Sequence, residues 1–492
     1  MKKLFILFFL LSLGLSVAGQ RKLVLSLDEV IKIASDSSII SFKNKNDYLR
    51  KAWQYNLYKA NLKPQLSFSL KPSYSKQLFT PNSGFVQNES TEIFNGMSEI
   101  SMRQQIAPFG GYMYASAIMS WQKYFNMPAV DGFVNPSFGA TPLLVGYRHE
   151  LLGYNEFKWE KLLSELQFEK AVKEFLYGLQ EVSEQATFHF FQLARAEADY
   201  MMANKNALSS DTLYQIGIER YSITSIKKEE LLALELQQLN AHNALHNAEL
   251  NLEKAQYSLL SFLRIEHSDD VSIEIPRHHE IQLVDIEDAM RKAEDNNPQY
   301  LQIKENILQA EQNLDRVTKE SRFQVGLDVN VGMQQYGSDI GRTYRDPQRY
   351  TTGSVSFSVP LVDFGAAKSK KRIANYSLET VKDLSDETGR TIREELVIAL
   401  KDFNSQQHLI TKAEQAITLA DLSFDQIQRS YAMGQTDMNT FILSQNRKDE
   451  AYTNYITALQ NYWMSYYKMC RLTLFDYIKN VPLVQEIDII LE

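Results

Sequence analysis

Cysteine is almost absent from this chain: Cys470 is the only one in 492 residues. An intrachain disulfide is therefore excluded. No cysteine follows the N-terminal leader described below, so a lipid anchor on a processed N-terminus is not expected. Cys470 falls deep in a helical segment and reads as a packed apolar residue, the common environment of a free thiol. Proline is sparse, at 12 residues, and no Pro/Gly/Ser-rich linker divides the sequence. Two interlocked halves fit that continuity better than separate domains. There is no basic block, and the net charge is −8. Both facts argue against nucleic acid as the main partner. Long apolar runs are missing too: after the first stretch, none approaches the roughly 18 residues of a membrane-crossing helix.

That first stretch has the build of a secretory signal. Lys2 and Lys3 form a positive start, Leu4 to Leu15 an apolar core, and Ser16-Val17-Ala18-Gly19 a small-residue cleavage region. Residues 1–19 are thus expected to be a signal peptide, and the protein is expected to leave the cytoplasm. Tyrosine and phenylalanine are plentiful at 26 each, which suits either membrane-interface girdles or a large core.

The chain repeats itself. Leu27-Asp28-Glu29-Val30 recurs as Ile286-Glu287-Asp288-Ala289, a shift of 259 residues that still holds between Gln65 and Gln324. Further on, Tyr147, Leu151 and Lys158 match Phe357, Leu361 and Lys368 at a shift of 210, and Tyr221 matches Tyr431. The difference between 259 and 210 leaves 49 extra residues in the first copy, upstream of Tyr147. We divide the chain into a first repeat over 20–270 and a second over 271–492. Each alternates helix, strands and a long helical hairpin, and such duplication constrains the architecture before any motif is read.

No proline interrupts Asn155 to Tyr221 or Ala366 to Tyr431. Each run is roughly 67 residues, about 100 Å of helix at 1.5 Å per residue, several times an ordinary globular helix. Leu396, Phe403, Ile410, Ile417, Phe424 and Tyr431 lie seven apart, with Ala399, Ala413, Ala420 and Ile427 three residues after members of that series. A seven-residue apolar repeat drives left-handed supercoiling. The first copy keeps the frame more weakly through Ala186, Leu193, Tyr200, Ala207, Tyr214 and Tyr221. Returning helices over about Lys227–Leu263 and Met438–Leu474 complete helical hairpins across 155–265 and 366–475. Their tips fall near Ser222–Ile226 and Ala432–Asp437, where Gly434 can adopt the left-handed conformation of a helix end.

The strands alternate with period two. Leu66, Phe68 and Leu70 alternate with serines and Lys71. In the second copy, strands expected over 323–334 and 353–362 carry Val325, Leu327, Val329, Val331, Val355 and Phe357 against small or polar neighbours such as Asp328 and Asn330. A half-buried sheet on a soluble core would show this pattern, and so would a transmembrane barrel with a polar lumen. Export and the absence of a membrane-crossing helix favour the barrel. Four strands per chain are too few to close one, so several copies would have to share it and leave no open edge in lipid. The extra residues hold a hairpin near 96–124, Ile100 to Ile106 and Tyr112 to Trp121, followed by loop-like sequence from Asn126 to Thr141. The hairpin either decorates an extracellular loop or adds two strands, and we expect the loop.

At this point the chain resembles the TolC family of outer-membrane efflux proteins over nearly its whole mature length. The resemblance rests on the paired openings at Leu27–Val30 and Ile286–Ala289 with Ala34 and Ala293 following, the passage Val359-Pro360-Leu361-Val362-Asp363-Phe364-Gly365, and the tip Tyr431-Ala432-Met433-Gly434 with Phe441 and Gln445 beyond it. It implies a mixed α/β membrane protein. A homotrimer would share one transmembrane β-barrel in outer-membrane lipid and a long periplasmic α-helical coiled-coil barrel. It implies a passive duct that docks onto a periplasmic adaptor driven by an inner-membrane RND or ABC transporter and exports small molecules. A type I protein-secretion duct of the same fold is the alternative. Periplasmic gate candidates carry over at Tyr431, Gly434, Asp437, Tyr221, Glu229 and Glu230. The family's tip arginine falls at Thr436, and its inward aspartates at Thr440 and Leu443.

Catalytic chemistry finds little support. His278-His279-Glu280 could suggest a metal site but reads as a solvated linker. Asp269-Asp270 and Asp295 fit helix-end capping. There is no G-x-S-x-G elbow and no glycine-rich phosphate loop before a helix. We therefore expect no catalytic, cofactor or metal residues. A secreted coiled-coil scaffold remains a different class of reading. It accounts for export and long helices but not for alternating strands at matching points of both copies.

Overall fold

The computed structural model describes residues 23–79, 89–106, 110–125, 135–265, 271–276 and 283–483. The expected signal at 1–19, Asp269-Asp270 and His278-His279-Glu280 lie outside the described residues. In chain order the first copy contains β1 (Leu23–Ser26), α1 (Leu27–Ser37), α2 (Ile39–Asn61), β2 (Gln65–Phe79), β3 (Glu89–Ile106), β4 (Gly111–Tyr124), β5 (Ser137–Glu150), α3 (Glu156–Ser222) and α4 (Lys228–Leu263). The second contains β6 (Val271–Glu274), α5 (Ile286–Asn296), α6 (Pro298–Glu320), β7 (Gln324–Gly337), the one-turn α7 (Ile340–Thr343), β8 (Gln348–Ser358), α8 (Ala366–Ala432), α9 (Met438–Thr473), β9 (Phe475–Asp476) and β10 (Val481–Pro482).

The chain forms two compact units, each built from both copies. The first comprises the described residues within 1–49, 171–300 and 390–492; the second comprises those within 50–170 and 301–389.

In the first unit β1 pairs in parallel with β6, Leu23 opposite Val271 through Ser26 opposite Glu274. Each ribbon strand runs into a short helix whose start is chemically specified. Ser26 and Glu29 form a capping box, the Ser26 N–H donating to Glu29 Oε2 at 2.9 Å. At the matching point of the second copy, Asp285 accepts the Asp288 N–H at 3.1 Å. The apolar stripes of these helices, Val30 and Ala34 in α1 and Ala289 and Ala293 in α5, enter one core. Phe190, Phe191, Leu400, Phe403, Leu459 and Tyr462 fill it and are fully buried. Burying each large apolar side chain contributes about 1.5–3 kcal/mol, so this convergence is the main packing term of the unit. Asn297, buried between α5 and α6, donates to the Leu472 carbonyl at 3.0 Å and accepts the Gln299 N–H at 2.9 Å. Cys470 is buried as expected, and burial pushes its thiol up to about 12.

In the second unit the strands form one antiparallel sheet in the order β2-β3-β4-β5-β7-β8. This corrects two expectations. The extra hairpin is not a loop decoration: β3 and β4 pair along their length between β2 and β5. The chain thus contributes six strands to the sheet rather than four. The physical reason lies in the neighbours. Glu, Ser, Asn and Gly in the first half of β3 blur its alternation, yet β2 offers it an uninterrupted partner from Gln65 to Phe79. The loop expected up to Thr141 also ends early, because β5 begins at Ser137. The last strand stops at Ser358 rather than 362, two residues before Pro360, which has no N–H to give a ladder. A buried ion pair ties the helices of this unit together. Lys170 Nζ of α3 lies 2.5 Å from Glu305 Oε2 of α6, with Gln302 and Gln167 as further partners.

Candidate channel wall and helix-tip gate

The six-stranded sheet has two chemically distinct faces. One row runs across all six strands as Leu66, Met102, Ala115, Val145, Val331 and Thr351. Along the same face stand Phe68, Leu70, Ile100, Val355 and Phe357, all exposed, with Phe68 at 67% and Phe357 at 73%. An exposed apolar surface of this extent marks a contact with protein or membrane. At one end of the band, rings from three neighbouring strands form a row: Phe94 to Trp121 at 5.0 Å between centroids, and Trp121 to Phe138 at 6.4 Å. Aromatic rows mark the margin of an apolar band at a membrane interface.

The opposite face is polar. Its parallel row reads Gln65, Arg103, Tyr114, Gly146, Asn330 and Thr352. Arg148 holds Asp328 at 2.6 Å, Tyr114 donates to Asp328 at 3.1 Å, and Arg148 donates to the Tyr112 hydroxyl at 3.1 Å. The Arg103 guanidinium covers the Tyr112 ring at 3.9 Å. Gly146 makes this network possible: a Cβ there would collide with the Tyr114 ring, which reaches across β5 to β7. Sequence reasoning did not single out Arg103, Tyr114 or Arg148 as functional. Their only signal was polarity at alternate positions, which a solvated sheet face also shows.

In the first unit both helical hairpins close through the same turn. The Thr224 and Gly434 N–H groups donate to the Tyr221 and Tyr431 carbonyls, both at 3.0 Å. The Ser225 and Gln435 N–H groups reach back to Arg220 and Ser430 at 2.8 and 2.9 Å. This is the two-bond Schellman arrangement, with its left-handed residue at Gly434 (φ 73°) in one copy and Thr224 (φ 59°) in the other. Glycine takes that conformation freely, whereas a β-branched side chain is strained there.

The gate candidates occupy different places around these turns. Tyr431 is half-buried, its ring 5.2 Å from Phe441, which in turn lies 5.6 Å from Phe424. Burial raises the Tyr431 hydroxyl above its ordinary value; Arg220 opposes that shift and Glu230 adds to it. Tyr431, Arg220 and Glu230 therefore form one electrostatic neighbourhood drawn from both hairpins. Tyr221 is exposed at 43%. Glu229 and Glu230 occupy the first turn of α4, where acidic groups complement the positive helix end. Asp437 is the N-cap of α9, accepting the Thr440 N–H at 3.0 Å and the Thr440 hydroxyl at 2.7 Å. Those hydrogen bonds hold its carboxyl below the usual range. Its counterpart in the other copy, Lys227, makes no side-chain cap. Thr224 falls inside the tip expected at Ser222–Ile226, but its left-handed backbone was not legible, because a β-branched residue does not signal that conformation; Arg220 was not singled out at all.

No protein-family model matches the chain, and no curated protein matches it in sequence. Solved structures do match in fold. The Campylobacter jejuni CmeC outer membrane channel aligns over 94% of this chain and 89% of its own, with a TM-score of 0.64 and 12% identity. The outer membrane protein VceC from Vibrio cholerae aligns over 91% of this chain and 95% of its own, with a TM-score of 0.64 and 9% identity. A membrane protein from Pseudomonas aeruginosa aligns over 91% and 90%, with a TM-score of 0.63 and 10% identity. The chain thus has the fold of bacterial outer-membrane channel proteins, the fold that its resemblance to the TolC family implied.

Proposed function

We propose that three copies of this chain assemble a passive channel of the bacterial outer membrane that serves an efflux system. The observation that carries this reading is the sheet. Its apolar face is uncovered, its opposite face carries a charged network, and the outer edges of its end strands, β2 and β8, have no strand partner among the described residues. Open backbone edges are not tolerated in lipid, and the remedy is closure. Copies related by rotation would pair β8 of one with β2 of the next, turn the apolar face to lipid and enclose the polar face as a lumen. The fold neighbours support this, CmeC being an outer membrane channel.

In this reading the long helices line a periplasmic duct, and the paired tips form its closed end. Tyr431, Gly434, Asp437, Tyr221, Glu229 and Glu230 shape that gate, with Tyr431 bound into the aromatic cluster and Asp437 fixing the start of α9. A periplasmic adaptor and an inner-membrane RND or ABC transporter supply selection and energy. The channel itself works without catalysis.

The test is the mass of the detergent-extracted protein together with its conductance in a planar bilayer. A trimer that gives small, discrete conductance steps is expected. A monomer that stays soluble without detergent and conducts nothing would overturn the reading and favour a secreted scaffold.

A further inference from the structure

We propose that the β3–β4 hairpin is a wall element that enlarges the shared barrel from twelve strands to eighteen, so that the outer exit passes bulky hydrophilic cargo of polypeptide size. This rests on the trimeric-barrel reading above and adds the width of the exit to it.

The two copies define what the hairpin adds. At the shifts established in the sequence, β2 corresponds to β7 and β5 to β8. The second copy joins its two strands directly, Gln324 opposite Ser358. By the same correspondence Gln65 would face Arg148, and both belong to the polar face. The hairpin instead separates β2 from β5 by two strands. An added antiparallel pair leaves the direction of β5 unchanged and keeps each residue on its original face, since side chains alternate with period two. The rest of the sheet therefore accepts the pair without rearrangement.

Four observations place the hairpin in the wall rather than on its rim. Its strands are as long as those beside it, 18 and 14 residues. The apolar row crosses it at Met102 and Ala115. It supplies Phe94 and Trp121 to the aromatic margin. It also supplies Arg103, Tyr112 and Tyr114 to the lumen network, where Tyr114 donates to Asp328 of β7. Along β4, Met113 to Trp121 covers about 27 Å, or about 20 Å of membrane at a tilt of about 40°, close to the height of an outer-membrane apolar band.

The width follows from strand spacing. With strands about 4.8 Å apart and tilted about 40°, twelve give a wall about 24 Å across and eighteen about 36 Å. Side chains take about 10 Å of either figure, leaving an opening of about 14 Å or about 26 Å. The narrower one admits small molecules or an extended chain, and the wider one admits compact polypeptide segments. The exit then ceases to filter by size, and that task falls to the helical gate.

The test is electron cryomicroscopy of the full-length protein in detergent, viewed along the three-fold axis. A parallel sample replaces residues 80–136 with the second copy's connector, Ser338–Pro347. A wall about 36 Å across is expected for the full chain and about 24 Å for the replacement. A three-fold particle of the full chain with a wall near 24 Å and the hairpin outside it would refute the widening while leaving the channel reading intact. A particle with no barrel would sink both. If the replacement does not assemble, the full-chain diameter decides alone.

Discussion

Replacing Tyr431 by alanine tests the proposed gate at the half-buried aromatic of the helix tip. The ring is half-buried and lies 5.2 Å from Phe441. Half of a large aromatic side chain hides on the order of 100 Å², about 2.5 kcal/mol at about 25 cal/mol per Å², and the ring pair adds about 1 kcal/mol. Opening of the proposed gate would expose only part of that surface, so Tyr431→Ala should shift the closed–open balance by about 1–3 kcal/mol. That corresponds to roughly a 5- to 150-fold shift in the open/closed ratio, at about 1.4 kcal/mol per tenfold. Tyr431→Phe keeps the ring and the stacking and should behave nearly as the parent. The assay is single-channel recording in planar bilayers, with trimer mass checked on each sample. Parental open occupancy in an intact Tyr431→Ala trimer would remove this residue from the gate.

Three further outcomes are expected. Thr224→Gly should relieve the strain of a β-branched residue at positive φ and protect the Ser225 amide by about 1 kcal/mol in hydrogen exchange, whereas Gly434→Thr should cost about as much at Gln435. Lys170→Met should destabilise the second unit by about 3–5 kcal/mol, because Glu305 is left buried and unpaired, while the double change with Glu305→Met should recover most of that in urea titration. Burial raises Glu184 to about 7, against the pull of Arg471 at 3.2 Å. An acid whose folded value is raised stabilises below its ordinary value near 4.5 and loses that contribution as pH climbs to about 7. Glu184→Gln should therefore flatten a stability loss of about 3 kcal/mol between those values. An equally steep pH profile in the variant would assign it to other groups.

The long helices were legible because few sequences keep proline out of such spans while repeating apolar residues every seven. In the structure Leu396, Phe403 and Ile410 of that series are buried. The two-faced strands were legible from alternation, and the resemblance gave the fold class. The hairpin's strands were legible near 96–124, but their place inside the sheet was not. Glu92, Asn95, Gly96 and Ser98 hide the first half of β3, and only the ladders on both sides show that it is paired along its length. Asp437 shows a similar limit at the tips. An aspartate near a helix end can cap, gate or merely face water, and only the Thr440 hydrogen bonds distinguish these. Tyr114 and Asp328 are 214 residues apart, and no local pattern announces their contact.

The parallel ribbon of β1 with β6 also bears on how the protein is made. Leu23 meets Val271, and the core beneath them is finished by α9 residues as late as Leu472. A chain that crosses the inner membrane N-terminus first would carry α1, with its apolar stripe uncovered, long before those partners arrive. Such distant pairings are slow to form and leave sticky surface exposed in the interval. Biogenesis should thus depend on holdase chaperones that shield the early segment. A chain cut short before α9 should yield no folded remnant of this unit and should be digested rapidly in limited proteolysis.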